Sequence, residues 1–287
     1  MKARLQTAAV PDHLTAPPTV TARFNSTDMS DSTINAGASP QRATQDHRHY
    51  LRPHYQPGIP AAIEIPDAPL SELLETAARF YPDRVAIDFL GAAMTYRELL
   101  EASERAAQVL RTSGVHKGDR VALIMPNCPQ HAVALYGALR IGAVVAEHNP
   151  LAPAEEIRSQ LDAHRARVVI VWEKGVDLVT DAAAGSHAGD VLQGRTVFSV
   201  DLSAAMPVRL RAALRLPVER ARRQRASFRT QSLPAWVRSW DKEVAGAHRV
   251  PSRFPYPGGS DVAVLLHTGG TTGTPKAAML THTNLRA

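Results

Sequence analysis

The strongest constraint on the fold is an alternation of short apolar segments and amphipathic segments in the middle of the chain. The apolar segments are four or five residues long and rich in Val, which is typical of strands buried on both faces of a sheet. The strands are predicted at 121–125, 143–146, 168–172 and 196–200, and the helices at 129–141 and 154–164. Strands that alternate with helices form a parallel sheet with right-handed crossovers. We therefore predict an α/β fold of layered parallel sheets with flanking helices.

The segment before this alternation adds a helix, a strand and a longer helix. Apolar residues recur at helical spacing after Ser71, which is a suitable N-cap, and residues 85–89 alternate as a strand. Thr95 and Glu98 have the spacing of a capping box, so the longer helix is expected to begin there. Gly114 suits its C-terminal end.

Residues 1–55 are poor in large apolar side chains and rich in small and polar ones. Such a segment buries too little apolar surface to offset the entropy lost on ordering. We predict a disordered leader at 1–55 and one domain at 56–287. The leader histidines at 47, 49 and 54 lack a partner cluster of Cys or His, so they are interpreted as solvated.

The composition limits the classes of protein. The 287 residues are 44% hydrophobic and 21% charged, as in ordinary soluble domains. The single cysteine, Cys128, excludes an intrachain disulfide and fits a reducing cytoplasm. No apolar run approaches the roughly 18 residues of a membrane span, and the N-terminus lacks the apolar core of a signal peptide. We expect a cytoplasmic protein.

The positive charge is concentrated in one segment. The net charge is +6, and residues 207–229 hold eight arginines against one acid, Glu219. The segment is predicted as a helical insertion interrupted at Pro217, and it has three interpretations. The first is a solvated helix. The second is a contact with the anionic inner face of the membrane, because leucines lie among the arginines. Nucleic-acid binding is disfavoured because no recognised nucleic-acid motif accompanies the charge.

A loop rich in glycine and threonine near the end of the chain carries the chemistry. An apolar strand at 262–266 leads into it, and a second short strand is expected at 277–280. Glycines let backbone N–H groups approach a bound anion closely, threonine hydroxyls add donors, and Lys276 adds a positive charge. Pro275 before the lysine distinguishes the loop from a Walker A motif, which opens a helix. The loop is therefore predicted to be a polyphosphate cradle between two strands, and a plain surface hairpin is the alternative.

The loop resembles the signature loop of the adenylate-forming (AMP-binding) superfamily. Two upstream blocks support the resemblance. Residues 94–99, Met-Thr-Tyr-Arg-Glu-Leu, resemble an early motif of that family, and residues 118–143 resemble its next block. The ending Asn149-Pro150-Leu151 resembles fatty-acyl-CoA ligases more than peptide-synthetase domains. The similarity covers roughly residues 57–287.

The resemblance implies an acid–thiol ligase of the long-chain-fatty-acid–CoA type. In such enzymes a carboxylate attacks the α-phosphate of ATP, giving an acyl-adenylate and pyrophosphate, and coenzyme A then displaces AMP. By this resemblance Lys276 is the catalytic residue, Thr268 also ligates Mg²⁺, and the substrates are a fatty acid, ATP and CoA. The implied nucleotide-binding residues are Thr268, Gly269, Gly270, Thr271, Thr272, Gly273, Thr274, Pro275 and Lys276.

Three residues depart from the family pattern. His267 stands where an aromatic residue is common, Gly269 replaces Ser or Thr, and Ala277 replaces a glycine. If the last position needs a positive φ, its methyl group carries a cost.

The resemblance also implies that the chain is about half of a complete family member. We therefore expect an incomplete N-terminal AMP-binding domain at 56–287 that makes no acyl-CoA alone. Three alternatives remain open: an aryl-CoA ligase, an adenylating enzyme that loads a carrier protein, and a non-catalytic remnant.

Overall fold

The computed structural model describes residues 64–180, 194–230, 232–252, 254–268 and 276–287. The predicted leader at 1–55 lies outside these residues and stays a prediction. Residues Ile63–Ala287 belong to one unit by their mutual contacts.

The strands and helices follow the predicted alternation. The strands are β1 (Val85–Phe89), β2 (Ala92–Thr95), β3 (Arg120–Ile124), β4 (Val144–Glu147), β5 (Val168–Trp172), β6 (Thr196–Val200), β7 (Arg238–Ser239), β8 (Val262–Thr268) and β9 (Lys276–Thr281). The helices are α1 (Ser71–Phe80), α2 (Tyr96–Thr112), α3 (Pro129–Arg140), α4 (Ala154–His164), α5 (Val176–Thr180), α6 (Val208–Arg215), α7 (Glu219–Phe228), α8 (Trp240–Gly246) and α9 (His282–Arg286).

The main sheet has the strand order β7-β6-β5-β3-β4-β8-β9 within the described residues. Every neighbouring pair from β7 to β8 is parallel, and β9 pairs antiparallel with β8. The prediction of a parallel α/β sheet with flanking helices is confirmed, with β9 as an antiparallel addition. The strands β1 and β2 form a separate antiparallel hairpin.

The sheet is buried on both faces by two layers of helices. Along β3, Val121 and Leu123 pack into a core with α2 and α3, whereas Ala122 and Ile124 pack on the opposite face with α4 and α5. Because successive side chains of a strand point to opposite faces, an uninterrupted apolar strand requires cover on both sides. That requirement explains why the central strands read as continuous apolar runs.

Helix α2 begins at the predicted capping box. The Thr95 side chain accepts a hydrogen bond from the Glu98 backbone N–H, and the Glu98 carboxylate accepts one from the Thr95 N–H at 2.8 Å. Gly114 follows the helix with a φ of +83°, a left-handed conformation that glycine adopts without strain. Both predicted ends of this helix are confirmed.

The arginine-rich segment lies in the connection between the neighbouring strands β6 and β7. It forms the two helices α6 and α7, which are separated at Leu216-Pro217-Val218. The predicted interruption at Pro217 is confirmed, since proline lacks the N–H that a continuing helix needs. None of the helices in the described part of the chain is long and apolar enough to cross a membrane.

Candidate functional site

The residues on the two sides of the glycine- and threonine-rich loop belong to the two paired strands of a β-hairpin. Thr268, the last residue of β8, pairs with Lys276, the first residue of β9. The Thr268 hydroxyl donates to the Lys276 carbonyl oxygen at a long 3.4 Å. The predicted strands on the two sides of the loop are therefore confirmed, and Thr268 and Lys276 are both exposed.

The loop itself falls outside the described residues. Its members are Gly269, Gly270, Thr271, Thr272, Gly273, Thr274 and Pro275. Their predicted role as a phosphate cradle stays a prediction. Its two ends leave the sheet at the carboxyl end of β8, which is the edge where open parallel sheets bind ligands.

Ala277, one of the three departures from the family pattern, fits its position without strain. It lies inside β9, opposite His267. Among the described residues other than glycine, the positive φ angles belong to Leu90 and Arg165. Alanine at 277 therefore needs no left-handed backbone.

Three histidine side chains lie close together beside the loop end of the β8–β9 hairpin. His148 follows β4, His164 ends α4, and His267 lies in β8 next to Thr268. The ring centroids of His148 lie 5.0 Å from those of both His164 and His267, and those of His164 and His267 lie 5.7 Å apart. We call these three residues the histidine cluster.

The histidine cluster belongs to a hydrogen-bond chain that defines its tautomers. The Ala166 N–H donates to His164 Nδ1 at 3.1 Å, so His164 carries its proton on Nε2 and donates it to His148 Nε2 at 2.9 Å. His148 then donates from Nδ1 to Gln160 Oε1 at 2.8 Å. Gln160 in turn donates to Glu156 at 3.0 Å. These two imidazoles are satisfied as neutral groups.

His267 stands apart because both of its ring nitrogens are buried without a hydrogen-bond partner among the described residues. Leaving a buried polar group unsatisfied costs about 1–3 kcal/mol. Burial lowers the pKa of His148 to about 4 and that of His164 to about 3, and it also lowers the pKa of His267. All three rings are therefore neutral near pH 7.

His267 is an unusual residue in the sequence, but the sequence alone does not predict the cluster. The available signal was the position of His148 directly after one strand and His267 at the end of another. The order in which parallel strands lie side by side is needed to bring the two together. His164 joins them through a helix end, which strand patterns do not reveal.

A cleft of about 380 Å³ opens between α2, the start of α3 and α8. Gln130 and Asp241 are among its polar lining residues. The Asp241 carboxylate accepts hydrogen bonds from Gln130 Nε2 at 3.1 Å and from the Asp201 N–H at 3.0 Å, and burial raises its pKa. Both carboxylate oxygens of Asp241 therefore have hydrogen-bond donors. The bond from Asp201 links α8 to the end of β6.

The helices α6 and α7 form a basic surface with an apolar groove. The groove has a volume of about 320 Å³ and is lined by Met206, Leu210, Ala213, Leu214, Leu216, Val218, Ala221 and Phe228, with Leu90, Arg220 and Gln224. Arg229 is anchored by the Glu173 carboxylate at 2.9 Å and 3.1 Å. Arg209, Arg215, Arg220 and Arg222 are exposed, and no ion pair is recorded for them within the described residues.

A family model that matches most of the chain identifies the family. A family model described as "AMP-binding enzyme" matches residues 74–287. The chain belongs to the AMP-binding enzyme family. This confirms the resemblance to the AMP-binding family, and the matched range includes the β8–β9 hairpin.

Relatives of this AMP-binding chain are named as fatty-acid ligases. It is 31% identical over 234 residues to the long-chain-fatty-acid–CoA ligase of Bacillus subtilis, covering 81% of this chain and 40% of the relative. It is 35% identical over 244 residues to the enzyme of the same name from Salmonella typhimurium, with the same coverage. The chain thus spans about 40% of the length of these curated relatives.

The fold also matches solved AMP-binding enzymes. The anthranilate CoA ligase AuaEII superposes with a TM-score of 0.60 at 17% identity, covering 77% of this chain and 36% of that one. At this identity the likeness concerns the fold alone.

Proposed function

We propose that this chain carries the phosphate-binding part of an acyl-CoA ligase that activates a fatty acid with ATP. The observation that supports the proposal is the β8–β9 hairpin at the carboxyl edge of the parallel sheet, with Thr268 and Lys276 at its two ends. The long-chain-fatty-acid–CoA ligase relatives support the fatty acid as substrate.

The proposed chemistry has two steps. A carboxylate oxygen of the fatty acid attacks the α-phosphorus of ATP, the bond to the β-phosphate breaks, and pyrophosphate leaves. The sulfur of coenzyme A then attacks the carbonyl carbon of the acyl-adenylate, and AMP leaves. Phosphoryl chemistry of this kind depends on positioning and on stabilising negative charge. Lys276 supplies positive charge to the β- and γ-phosphates, which become the leaving pyrophosphate.

A Mg²⁺ ion fits the Thr268 end of the hairpin as a cofactor with few protein ligands. The Thr268 hydroxyl is exposed and holds a single long hydrogen bond, so its oxygen lone pairs face no competing donor within the described residues. Mg²⁺ takes oxygen ligands, most of them from phosphates and water, and one hydroxyl is a reasonable share. When bound, the ion neutralises phosphate charge.

The basic surface on α6 and α7 adds a proposed place for the reaction. Exposed arginines lie on the same two helices as the apolar groove, a combination that suits the headgroups and acyl chains of an anionic membrane. We propose that the protein contacts the inner face of the membrane through this surface, where fatty acids partition.

The proposed role of Lys276 is tested by replacing it with methionine, which removes the charge and keeps most of the side-chain length. The change is made in a chimera in which residues 64–287 replace the matching part of the Bacillus subtilis relative. A charge-assisted hydrogen bond is worth about 1.5–3 kcal/mol. Because about 1.4 kcal/mol is tenfold, fatty-acid-dependent ATP–pyrophosphate exchange should slow by roughly one to two orders of magnitude.

Two controls make the measurement specific. Lys242→Met removes an exposed lysine on α8 and should leave exchange unchanged, whereas Lys276→Arg should retain part of it. Melting curves should be the same for all variants because an exposed lysine buries little. Unchanged exchange in Lys276→Met would show that Lys276 is not a phosphate ligand, and exchange lost together with the melting transition would return the hairpin to a structural role.

The acid and acceptor are tested in the same assay. The parent chimera is given palmitate, benzoate or no acid, and then CoA. Exchange with palmitate supports the fatty-acid proposal, exchange with benzoate supports an aryl-CoA ligase, and adenylation without transfer to CoA supports a carrier-protein acceptor. No exchange with any acid, from a folded chimera, would support a non-catalytic chain.

A further inference from the structure

The histidine cluster brings imidazoles from three separate elements to one point. One ring nitrogen each of His148, His164 and His267 can be chosen so that all three lie within 4.8 Å of one another. His148 and His164 are buried, and the nitrogens of His267 are buried although its ring is partly exposed. Three imidazoles in this arrangement are a common donor set for divalent transition metals.

We propose that His148, His164 and His267 form a binding site for a divalent transition metal ion of the zinc class. This site is separate from the Mg²⁺ proposed at Thr268, because imidazole nitrogen suits zinc and cobalt, whereas Mg²⁺ takes oxygen. The inference does not depend on the proposed function.

The observation that favours a metal over a purely hydrogen-bonded cluster is that the nitrogens of His267 have no partner in the part of the chain that the structure describes. Buried polar groups nearly always have a partner, and a group that lacks one calls for an unseen ligand or water. His148 and His164 already have hydrogen-bond partners without a metal. His267 takes no part in that hydrogen-bond chain. A metal ion bound by all three rings gives His267 its missing partner.

The surrounding residues already support His148 as a ligand. Its Nδ1 donates to the Gln160 side-chain carbonyl, which leaves the Nε2 lone pair directed at His164. A metal-bound histidine typically donates its other ring N–H to such an acceptor. Burial keeps the three rings unprotonated near pH 7, and unprotonated imidazole is the form that binds metals.

The metal would take the place of the proton shared by His148 and His164. Their Nε2 atoms lie 2.9 Å apart. Two nitrogens bound at about 2.0–2.1 Å in a tetrahedral site lie roughly 3.3 Å apart, so the rings must separate slightly. His164 would move its remaining proton to Nδ1 and lose the hydrogen bond from the Ala166 N–H. Two hydrogen bonds, the one between the two rings and the one from the Ala166 backbone, are thus exchanged for three metal–nitrogen bonds.

The position of the site indicates what the metal would do. His267 is bonded directly to Thr268, and the other two ligands belong to the end of β4 and the end of α4. A bound ion would link the loop end of the β8–β9 hairpin to the end of β4 and the end of α4. Its role would be structural support for the loop.

The site is tested by titrating Co²⁺ into the metal-stripped 287-residue chain without an affinity tag. The leader is controlled by changing His47, His49 and His54 to Gln in the parent protein used for all titrations. We expect one Co²⁺ per chain with the visible absorption of nitrogen-ligated, low-coordinate cobalt, displaced by Zn²⁺. His267→Phe keeps an aromatic ring and removes the donors, and it should weaken Co²⁺ binding at least about tenfold. His116→Gln, which changes an exposed histidine, should bind as the parent does.

The ligand count is measured independently of any cluster variant. X-ray absorption of the Zn²⁺-loaded parent should show three imidazoles at about 2.0–2.1 Å. Circular dichroism reports whether His267→Phe stays folded. If it does not, the X-ray absorption spectrum of the parent decides whether three imidazoles bind the metal. Absence of stoichiometric Co²⁺ binding, unchanged binding by a folded His267→Phe, or fewer than three imidazoles on zinc would overturn the proposal. The cluster would then be a hydrogen-bonded packing element only.

Discussion

His282 shows how one buried imidazole can make the stability of this domain depend on pH. The residue is fully buried at the start of α9, and its Nδ1 accepts a hydrogen bond from the Leu70 N–H at 3.1 Å. Burial lowers the pKa of His282, and the nearby Asp261 opposes that shift. Protonation of Nδ1 would remove the acceptor that ties α9 to the start of α1.

We predict that the domain loses stability as the pH falls below the ordinary histidine pKa of about 6.5. In that range the unfolded chain binds a proton that folded His282 does not, so the free energy of unfolding falls by at most about 1.4 kcal/mol per pH unit for this group. Above that pH both states are neutral and the stabilisation is fully present. The measurement is the urea midpoint between about pH 7.5 and pH 5.

The matched variant is His282→Asn, whose Oδ1 can accept the Leu70 hydrogen bond but cannot be protonated in this range. Its stability should depend less steeply on pH than that of the parent. His148 and His164 contribute the same slope to both proteins, since their pKa values are also lowered by burial. Parallel pH profiles for the two proteins would contradict the assignment to His282.

At the scale of elements, the close contact of α2 and α3 depends on Gly137. A Cβ atom at this position would lie 2.7 Å from the Ala106 Cβ and 3.0 Å from the Ala107 backbone nitrogen. Neither of these atoms belongs to a flexible side-chain end. The two helices can therefore touch only because one of them has no side chain there.

We predict that Gly137→Ala destabilises the domain although alanine is the better helix former. The propensity gain is about 1 kcal/mol, whereas forcing an extra carbon into a packed contact costs typically 1–3 kcal/mol. Gly246→Ala is the control, because a Cβ at this position on α8 would meet no atom within 4 Å. Denaturant midpoints should fall for the first variant and stay equal or rise for the second. A rise for both would show that α2 and α3 can separate without cost.

The elements themselves were predictable because local signals and burial agree. The capping box at Thr95, the glycine at 114 and the valine-rich central strands each indicate the same structure at the local and the global level. The strand β2 and the helices α8 and α9 were not predicted, and neither was the short strand β7, whose two residues carry no pattern of their own. It forms because the end of the arginine-rich connection returns to pair with β6.

The candidate site was predictable only in part. The loop between 268 and 276 has a distinctive residue order, so its two strands could be inferred from the sequence. The histidine cluster could not be, because its members come from two strand ends and one helix end that are far apart in the chain. Their meeting depends on the order β4-β8 within the sheet, which local patterns do not encode.

At the scale of the whole molecule, the excess positive charge lies in the segment that forms α6 and α7. The eight arginines of residues 207–229 account for more than the net charge of +6. Several of the flanking apolar side chains are also exposed, among them Val208 at 70% and Leu216 at 53%. This surface is therefore both basic and apolar.

We predict salt-sensitive binding of the 287-residue chain to vesicles that contain anionic lipid. Exposed charges are screened over about 10 Å at 0.1 M salt, so binding should weaken as salt is added. Each arginine near an anionic surface contributes about 1 kcal/mol. Changing Arg209, Arg215, Arg220 and Arg222 to Gln should lower partitioning at least roughly tenfold in a sedimentation assay.

The control removes equal charge elsewhere, by changing Arg79, Arg84, Arg97 and Arg111 to Gln. That variant should sediment with anionic vesicles as the parent does. Equal sedimentation of the parent with neutral and anionic vesicles at low salt would instead support the solvated-helix interpretation.

The placement of α6 and α7 between two adjacent strands at the edge of the sheet has a consequence for how the chain tolerates change. A parallel crossover needs only about a dozen residues, and this one runs from 201 to 237. Loop-closure entropy grows with the logarithm of length, so the extra residues cost the domain only about 1 kcal/mol. The strands β3 and β4 and the hairpin of β8 and β9 lie on the other side of β5. The exposed helices α6 and α7 can therefore change in length with little effect on the rest of the sheet, as a separately tunable part of the molecule.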